Sequence, residues 1–248
     1  MTRIVLKASD VSAILGRHRY KPRKEVFDEL WKKYSPQTFV GKTKTQKAEE
    51  SIGCSAQAQM VLRTALSVDA GNSTEVQKIF QKAQEGILTD PTLTLTQKTE
   101  VVDHIRTQVY TKHGTLSEQN TSSKVMVDEQ VVLRTDDSFY TIDVCKLGTN
   151  RFVVVGKVDR IEENPDGTRT LVEIKNRANR LFGEVVEYEF IQIQVYLKML
   201  GLTEARLVEQ YNDQVLSHKV VFDAEMWETQ IMPGLEAFCT EFHQLMRP

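Results

Sequence analysis

The feature that most restricts the fold is a pair of apolar segments that carry ionisable residues where a sheet should pack. The stretch GKVDRI at 156–161 ends an apolar run with Asp159, and LVEIKNR at 171–177 places Glu173 and Lys175 inside the next run. NPDG, which lies between them, is a strong turn signal, so the two segments are predicted to form a β-hairpin. Burying three charges costs free energy unless they pair or bind a metal.

The geometry of this hairpin is compatible with a metal site. Glu173 and Lys175 are two residues apart, so both side chains point to the same face of the strand. Asp159 and Glu173 on neighbouring strands would offer hard oxygen ligands suited to Mg²⁺ or Mn²⁺. A lysine beside them can orient or deprotonate a water and stabilise charge during phosphodiester hydrolysis. A solvated, salt-bridged strand face explains the same pattern equally well.

Composition restricts the partners and the setting. The net charge is −2, so binding to nucleic acid would require a local basic patch. The cysteines are odd in number and far apart, and they form no disulfide framework or zinc pattern, which indicates a reducing, intracellular setting. The first ten residues lack the apolar core of a secretory signal, and no apolar run is long enough to cross a bilayer. Cytoplasm and nucleus are not distinguished.

The first half of the chain is predicted to be mainly helical. A short helix begins at Ser9 or Asp10 and stops at Gly16, and a basic turn and an amphipathic helix follow it. Residues 44–112 are polar with helical spacing, and this helical region is predicted to end at Gly114. A weaker helix, rich in Ser and Thr, is predicted to come next.

The second half mixes strands and helices. The predicted strands are 130–134, 140–145, 152–161 and 168–177, with two more in ARLVEQYND and LSHKVVFD. A helix over 187–201 separates the last two strands from the others, and a carboxy-terminal helix is interrupted or kinked at Pro233 and Gly234. This order predicts an α/β sandwich around a mixed sheet.

Three further features can be read in two ways. Glu118 could add a third carboxylate from the helix that leads into the sheet, but a lone helical glutamate is usually a solvated charge. Gln192 and Tyr196 lie one helical turn apart and could contact a phosphate or Lys175, although a tyrosine packed in the core is the simpler interpretation. The basic turn after Gly16 is either a phosphate-binding segment or a solvated run of charge.

Taken together and in this order, these segments resemble the PD-(D/E)XK nuclease superfamily, in the branch with YqaJ-like viral recombinases, phage lambda exonuclease and RecB-type nuclease domains. The resemblance covers residues 1–30 and about 114–225, and Val158 stands where the family name has proline. The segments that carry it are SDVSAILGRHRYKPRKEVF, GTLSE, GKVDRI, LVEIKNR and QIQVY. It implies one α/β domain over 1–248 with a PD-(D/E)XK restriction-endonuclease-like core, a mixed sheet flanked by helices, at about 111–225. A helical insertion is expected at about 35–110.

The resemblance also implies roles for the residues named above. Mg²⁺ or Mn²⁺ would be held by Glu118, Asp159, Glu173 and the backbone carbonyl of Ile174. Lys175 would position the attacking water, with Gln192 and Tyr196 ordering Lys175 or the scissile phosphate. The expected DNA-backbone contacts are Arg17, Arg19, Lys21, Arg23, Arg177 and Arg180.

The function implied is a metal-dependent DNase, a 5′–3′ exonuclease on duplex DNA ends in recombination, repair or replication, in a virus or phage. The resemblance admits a single-strand annealing or other recombination protein as partner, and a homo-oligomer, with no membrane association. An RNA-cleaving nuclease of the same fold and a non-catalytic nucleic-acid-binding subunit are the alternatives. The intact Asp159, Glu173 and Lys175 set argues against the non-catalytic alternative.

Overall fold

A computed structural model gives the structure of residues 1–246. The strands are β1 (Thr2–Lys7), β2 (Leu133–Thr135), β3 (Tyr140–Leu147), β4 (Asn150–Gly156), β5 (Arg160–Glu163), β6 (Arg169–Asn176), β7 (Glu204–Tyr211) and β8 (Gln214–Val221). The helices are α1 (Val11–Ile14), α2 (Arg23–Tyr34), α3 (Lys44–Gly53), α4 (Ala56–Ser67), α5 (Ser73–Leu88), α6 (Leu95–Glu129), α7 (Glu187–Leu200), α8 (Ala224–Met226) and α9 (Met232–Leu245).

The strands form two sheets that both mix parallel and antiparallel pairs. One sheet has the order β1-β4-β3 and the other has the order β2-β5-β6-β7-β8. β1 runs parallel to β4 and β6 runs parallel to β7, while the remaining neighbours are antiparallel. The prediction of a mixed sheet flanked by helices is therefore confirmed, although the sheet is divided in two.

The hairpin around NPDG is confirmed, but the segment predicted as one strand over 152–161 is two strands. β5 pairs antiparallel with β6, with Arg160 opposite Val172. β4 ends at Gly156 in the first sheet, and β5 begins at Arg160 in the second. Asp159 therefore lies in the link where the chain leaves one sheet and enters the other, and apolar periodicity alone does not show such a change of partner.

The main core lies between the sheets and the helices α1, α2, α7 and α9. Ile4, Phe152, Ile193, Phe238 and Phe242 are all fully buried in it. β1 was not predicted, because its partner β4 is distant in the sequence and a short apolar run does not reveal a parallel pairing. Burial of these side chains supplies the main favourable free energy that holds the helices on the sheets.

The helices α3 to α6 pack around a second core of their own. Its buried residues include Ala58, Val76, Ile87, Val101 and Ile105. The end of α6 reaches a third cluster, in which Val125 packs with residues of the second sheet. The helical insertion expected at about 35–110 corresponds to these helices. The division of the chain into a nuclease core and an insertion stays a proposal.

Helix α6 continues through Gly114, where the sequence predicted a stop. A glycine inside a helix costs about 1 kcal/mol relative to alanine, which tertiary packing readily offsets. The carbonyl of Gly114 accepts a hydrogen bond from Asn176 Nδ2 at 3.1 Å, and Val109 and Val125 are buried on either side. The expected boundary between insertion and core thus falls inside one continuous helix.

The interruption predicted at Pro233 and Gly234 takes a different form. The five residues Trp227–Ile231 form a π-helical turn that joins α8 to α9, and Pro233 lies in the first turn of α9. Proline cannot donate a backbone hydrogen bond, and the irregularity that results lies next to the π-helical turn. Within residues 1–246, every helix is too short or too polar to cross a bilayer.

Candidate active site

Asp159 and Glu173 meet where the link between the sheets reaches β6. Asp159 Oδ2 accepts a hydrogen bond from the backbone N–H of Ile174 at 2.8 Å. Glu173 is 3% exposed, and its Oε1 accepts hydrogen bonds from Lys175 Nζ at 2.8 Å and Gln192 Nε2 at 3.1 Å. Its Oε2 is buried and has no hydrogen-bond partner among residues 1–246. A buried carboxylate oxygen without a partner is costly unless a cation binds there.

The electrostatics of Asp159 support the same interpretation. Burial, with repulsion from Glu173, raises the pKa of Asp159 from its ordinary 3.8 to about 8, against the opposing effects of Lys175 and the Ile174 N–H. Asp159 therefore keeps a proton near neutral pH when no cation is bound. Two carboxylates and a nearby backbone carbonyl are oxygen donors of the kind that Mg²⁺ and Mn²⁺ prefer, so these residues fit a divalent metal.

Lys175 is a stable cation in this arrangement. Burial by itself would lower its pKa, but the charges of Glu173 and Asp159 outweigh burial and hold the pKa above its ordinary value. The ammonium group can therefore donate hydrogen bonds to a water or a phosphate oxygen. Removal of a proton from water by Lys175, one of the two roles considered from the sequence, is disfavoured here.

Helix α7 supplies Gln192 and Tyr196 to the same site, as their spacing predicted. Gln192 Nε2 donates to Tyr196 Oη at 3.0 Å as well as to Glu173, and Gln192 Oε1 accepts from Lys175 Nζ at 3.4 Å. Tyr196 is 5% exposed, and burial raises its pKa, so it remains a neutral phenol. One amide thus contacts both Glu173 and Lys175 of β6 and helps to fix their relative position.

Gly156 is needed for the position of Tyr196. A Cβ atom at Gly156 would lie 2.5 Å from Tyr196 Cε1 and 2.8 Å from the Cβ of Ala8. Both distances are shorter than side chains tolerate, so any other residue would displace the tyrosine ring or the segment after β1. Sequence reasoning did not identify this role, although a glycine inside a strand pattern often marks such a close approach.

Glu118 lines the same cleft but is already paired. Arg160 Nη1 donates to Glu118 Oε1 at 2.5 Å and to the carbonyl of Asp159 at 2.6 Å. Arg160 is only 5% exposed and also donates to Gln119 and Ser122 of α6. Within residues 1–246, no three acidic, histidine or cysteine side chains converge as a metal-ligand set. The structure thus brings together Asp159 and Glu173, while a metal-ligand role for Glu118 stays a prediction.

Arg177 does not have the surroundings of a DNA-backbone contact. Its side chain is 8% exposed, donates from Nη1 and Nη2 to Glu189 at 2.5 and 2.8 Å, and donates from Nε to Glu209 at 2.6 Å. The ring of Phe182 covers the guanidinium at 3.9 Å. Arg177 therefore ties β6 to α7 and β7. Sequence reasoning missed Glu189 and Glu209, because no local pattern shows that they meet this arginine.

Two residues of the basic turn, Lys21 and Arg23, are paired with acidic side chains. Lys21 Nζ lies between Asp10 and Glu29, at 2.9 and 3.1 Å. Arg23 Nη2 donates to Glu241 of α9 at 2.6 Å. Both side chains connect helices around α1 and α2, and their contact with the DNA backbone stays a prediction.

The remaining predicted basic residues line a cavity beside the active-site cleft. Arg17, Arg19 and Arg180 belong to a cavity of about 460 Å³, with Arg17 Nη1 3.4 Å from Glu187. The active-site cleft itself measures about 600 Å³ and is lined by Asp159 and Glu173. Tyr188 lines both spaces, so the cavity and the cleft adjoin.

Comparisons with known proteins identify the family to which the chain belongs. A sequence profile of the PD-(D/E)XK nuclease superfamily matches residues 23–236. Similar solved structures include an alkaline exonuclease from Laribacter hongkongensis, with 14% identity, a TM-score of 0.42, and coverage of 80% of this chain and 94% of the other. A phage-related exonuclease from Haemophilus somnus 129PT has 12% identity, a TM-score of 0.44, and coverage of 98% and 96%. A search of curated protein sequences gave no match. Because the profile match extends from α2 into α9 and includes the Asp159, Glu173 and Lys175 segments, the chain belongs to the PD-(D/E)XK nuclease superfamily.

Proposed function

We propose that the chain is a metal-dependent deoxyribonuclease that degrades duplex DNA from its ends in the 5′–3′ direction during recombination, repair or replication. The observation that carries this proposal is the buried, unpartnered Oε2 of Glu173, which lies beside the carboxyl group of Asp159 and the ammonium group of Lys175. Membership of a nuclease superfamily supports phosphodiester hydrolysis as the reaction. A recombination protein as partner and a homo-oligomer stay predictions.

The residues of the site have different roles in hydrolysis. Mg²⁺ or Mn²⁺, bound by Asp159, Glu173 and the Ile174 carbonyl, would supply positive charge to the scissile phosphate and a more acidic water. Lys175 donates hydrogen bonds to the attacking water or a phosphate oxygen and stabilises developing negative charge. Gln192 accepts a hydrogen bond from Lys175 and donates one to Glu173, so it helps to fix the position of both side chains.

End recognition would be the task of the cavity beside the cleft. Arg17, Arg19 and Arg180 place guanidinium groups there, and guanidinium binds phosphate oxygens through paired hydrogen bonds. A terminal phosphate carries more charge than an internal one, so this cavity is suited to a 5′-phosphorylated end. This supports action from the end of a strand.

The proposal is tested with linear, nicked and closed circular DNA labelled at either end, incubated with Mg²⁺, Mn²⁺ or excess EDTA. We expect release of nucleotides from 5′ ends of linear DNA only when metal is present, with closed circles left intact. The rate of hydrolysis of RNA of matched sequence shows whether the protein discriminates between deoxyribose and ribose. Activity in excess EDTA, or equal cutting of closed circles, would contradict the proposal.

A matched pair of variants guards against contaminating nucleases. Glu173→Gln removes a charge from the site and should abolish the activity. Asp143→Asn removes an exposed carboxylate on β3 that pairs with Arg151, and it should leave the activity unchanged. Equal activity in both purified variants would mean that the hydrolysis does not come from this site.

A further inference from the structure

Three aromatic rings form a cluster in the arginine-lined cavity beside the cleft. The rings of His18 and Tyr188 lie 4.7 Å apart between centroids with planes tilted by 33°. The ring of Tyr20 meets Tyr188 at 6.1 Å and His18 at 6.3 Å, nearly edge-on in both cases. Tyr20 is 60% exposed. His18, Tyr20 and Tyr188, called here the aromatic cluster, therefore present ring surface to the cavity.

Within the aromatic cluster, the His18 ring is held in place by hydrogen bonds. His18 Nδ1 accepts hydrogen bonds from the backbone N–H groups of Tyr20 at 3.1 Å and Lys21 at 3.0 Å. Burial, with the nearby charge of Lys21, lowers the pKa of His18, so the ring is neutral at physiological pH. A rigid neutral ring loses little conformational entropy when another flat ring packs on it.

The position of the aromatic cluster connects it to the cleft. Tyr188 lines both spaces and precedes Gln192 by four residues on α7, so it lies one helical turn from the amide that holds Lys175. Arg19 also lies against the cluster, with its guanidinium carbon 5.5 Å from the centroid of the Tyr20 ring.

Charge in the cavity is mixed. Glu184 and Glu187 lie in the wall beside the three arginines, and Glu187 pairs with Arg17. Arg19 and Arg180 are exposed. A cavity with flat neutral rings and only moderate positive charge is suited to a ligand that has both an aromatic ring and a phosphate. A nucleotide has this combination.

We propose that the aromatic cluster stacks on an unpaired nucleobase of the DNA strand whose phosphate enters the cleft. This inference rests on the proposed function and adds to it the state of the substrate. A base inside a duplex has both faces covered by its neighbours, and a terminal base pair exposes only its outer face, whereas an unpaired base can turn either face to Tyr20 or Tyr188. The chain would therefore act on a strand whose last nucleotides are unpaired at the site.

The experiment uses short single strands in which the fluorescent adenine analogue 2-aminopurine stands at the 5′ end, at the 3′ end or in the middle. Its fluorescence falls when it stacks on an aromatic ring, and EDTA prevents hydrolysis during the titration. We expect quenching for at least one placement with the wild-type protein and with Tyr188→Phe, which keeps the ring. Tyr188→Leu should lose the quenching and weaken binding roughly 5- to 100-fold.

Phe139→Leu is the matched control, because Phe139 is 73% exposed and lies outside the cavity. It should quench and bind like the wild-type protein. Quenching that is the same in Tyr188→Leu and the wild type, or absent at all three placements, would overturn the stacking inference. Ring-dependent quenching without hydrolysis on addition of Mg²⁺ would support stacking and overturn the proposed function. Hydrolysis without such quenching would support the proposed function and overturn stacking.

Discussion

Replacing Asp159 with asparagine is expected to stabilise the metal-free protein at neutral pH. The pKa of Asp159 is raised from 3.8 to about 8 in the folded state, mainly by burial and by the charge of Glu173. Between these two pH values the folded protein holds a proton on Asp159 that the unfolded chain has released. The free energy of unfolding therefore falls as pH rises through this window, and asparagine, which does not titrate, removes that loss.

The size of the effect follows from the same rise in the pKa of Asp159. A proton that is bound in the folded state but not in the unfolded state changes the free energy of unfolding by about 1.4 kcal/mol per pH unit. The upper limit of this change from pH 5 to pH 7 is therefore about 2.7 kcal/mol. Water entry and small movements around a buried carboxylate reduce this limit, and we expect roughly 1–2 kcal/mol. The asparagine Oδ1 can still accept the hydrogen bond from the Ile174 N–H, so that contact is retained.

The assay is urea unfolding in EDTA at pH 5, 6, 7 and 8, monitored by circular dichroism. The quantity compared is the difference in unfolding free energy between Asp159→Asn and the wild type, which should grow with pH. Asp143→Asn is the control, because the Arg151 guanidinium lowers the pKa of exposed Asp143 and the difference should not grow in this way. Added Mg²⁺ should stabilise the wild type far more than Asp159→Asn. A difference that stays constant from pH 5 to pH 8 would refute the reasoning.

The other predictions concern catalysis and DNA binding. Lys175→Ala should lower turnover on the order of 100-fold or more in a quenched-flow assay with Mg²⁺, because a charge beside the reacting phosphate is lost; turnover close to wild type would exclude that role. Gln192→Ala and Tyr196→Phe should lower the single-turnover rate more than they weaken DNA binding, and unchanged rates in both would make the pair ordinary packing. Combined Arg17→Ala and Arg19→Ala should reduce the preference for 5′-phosphorylated over 5′-hydroxyl ends, and should flatten the log–log salt dependence of binding by about one unit per lost phosphate contact. Equal digestion of both kinds of end by the wild-type protein would argue against end recognition.

Local sequence patterns were sufficient for the centre of the site. Alternation within a strand and a strong turn predicted that Asp159, Glu173 and Lys175 lie close together. Helical spacing predicted that Gln192 and Tyr196 lie on one face of a helix. Each of these patterns spans only a few residues. The geometry that they imply therefore survives in the fold, even where strand boundaries were placed differently.

Patterns of charge were a poor guide to the residues around that centre. Arg177, Lys21 and Arg23 are as basic in the sequence as the exposed arginines, but in the structure each pairs with acidic residues of other elements. Nothing near a basic residue in the sequence shows which carboxylate will reach it after folding. The pairing of Glu118 with Arg160 was missed for the same reason.

The close packing at Gly156 has a consequence for the interpretation of natural variants. Gly156 has no group that reacts, binds metal or touches DNA, and its substitution by alanine adds only one methyl group. That methyl would overlap Tyr196 Cε1, and Tyr196 accepts a hydrogen bond from Gln192, which also contacts Glu173 and Lys175. A sequence could therefore retain every charged residue of the site and still encode an inactive protein, so the presence of those residues alone is not enough to infer activity in a related gene.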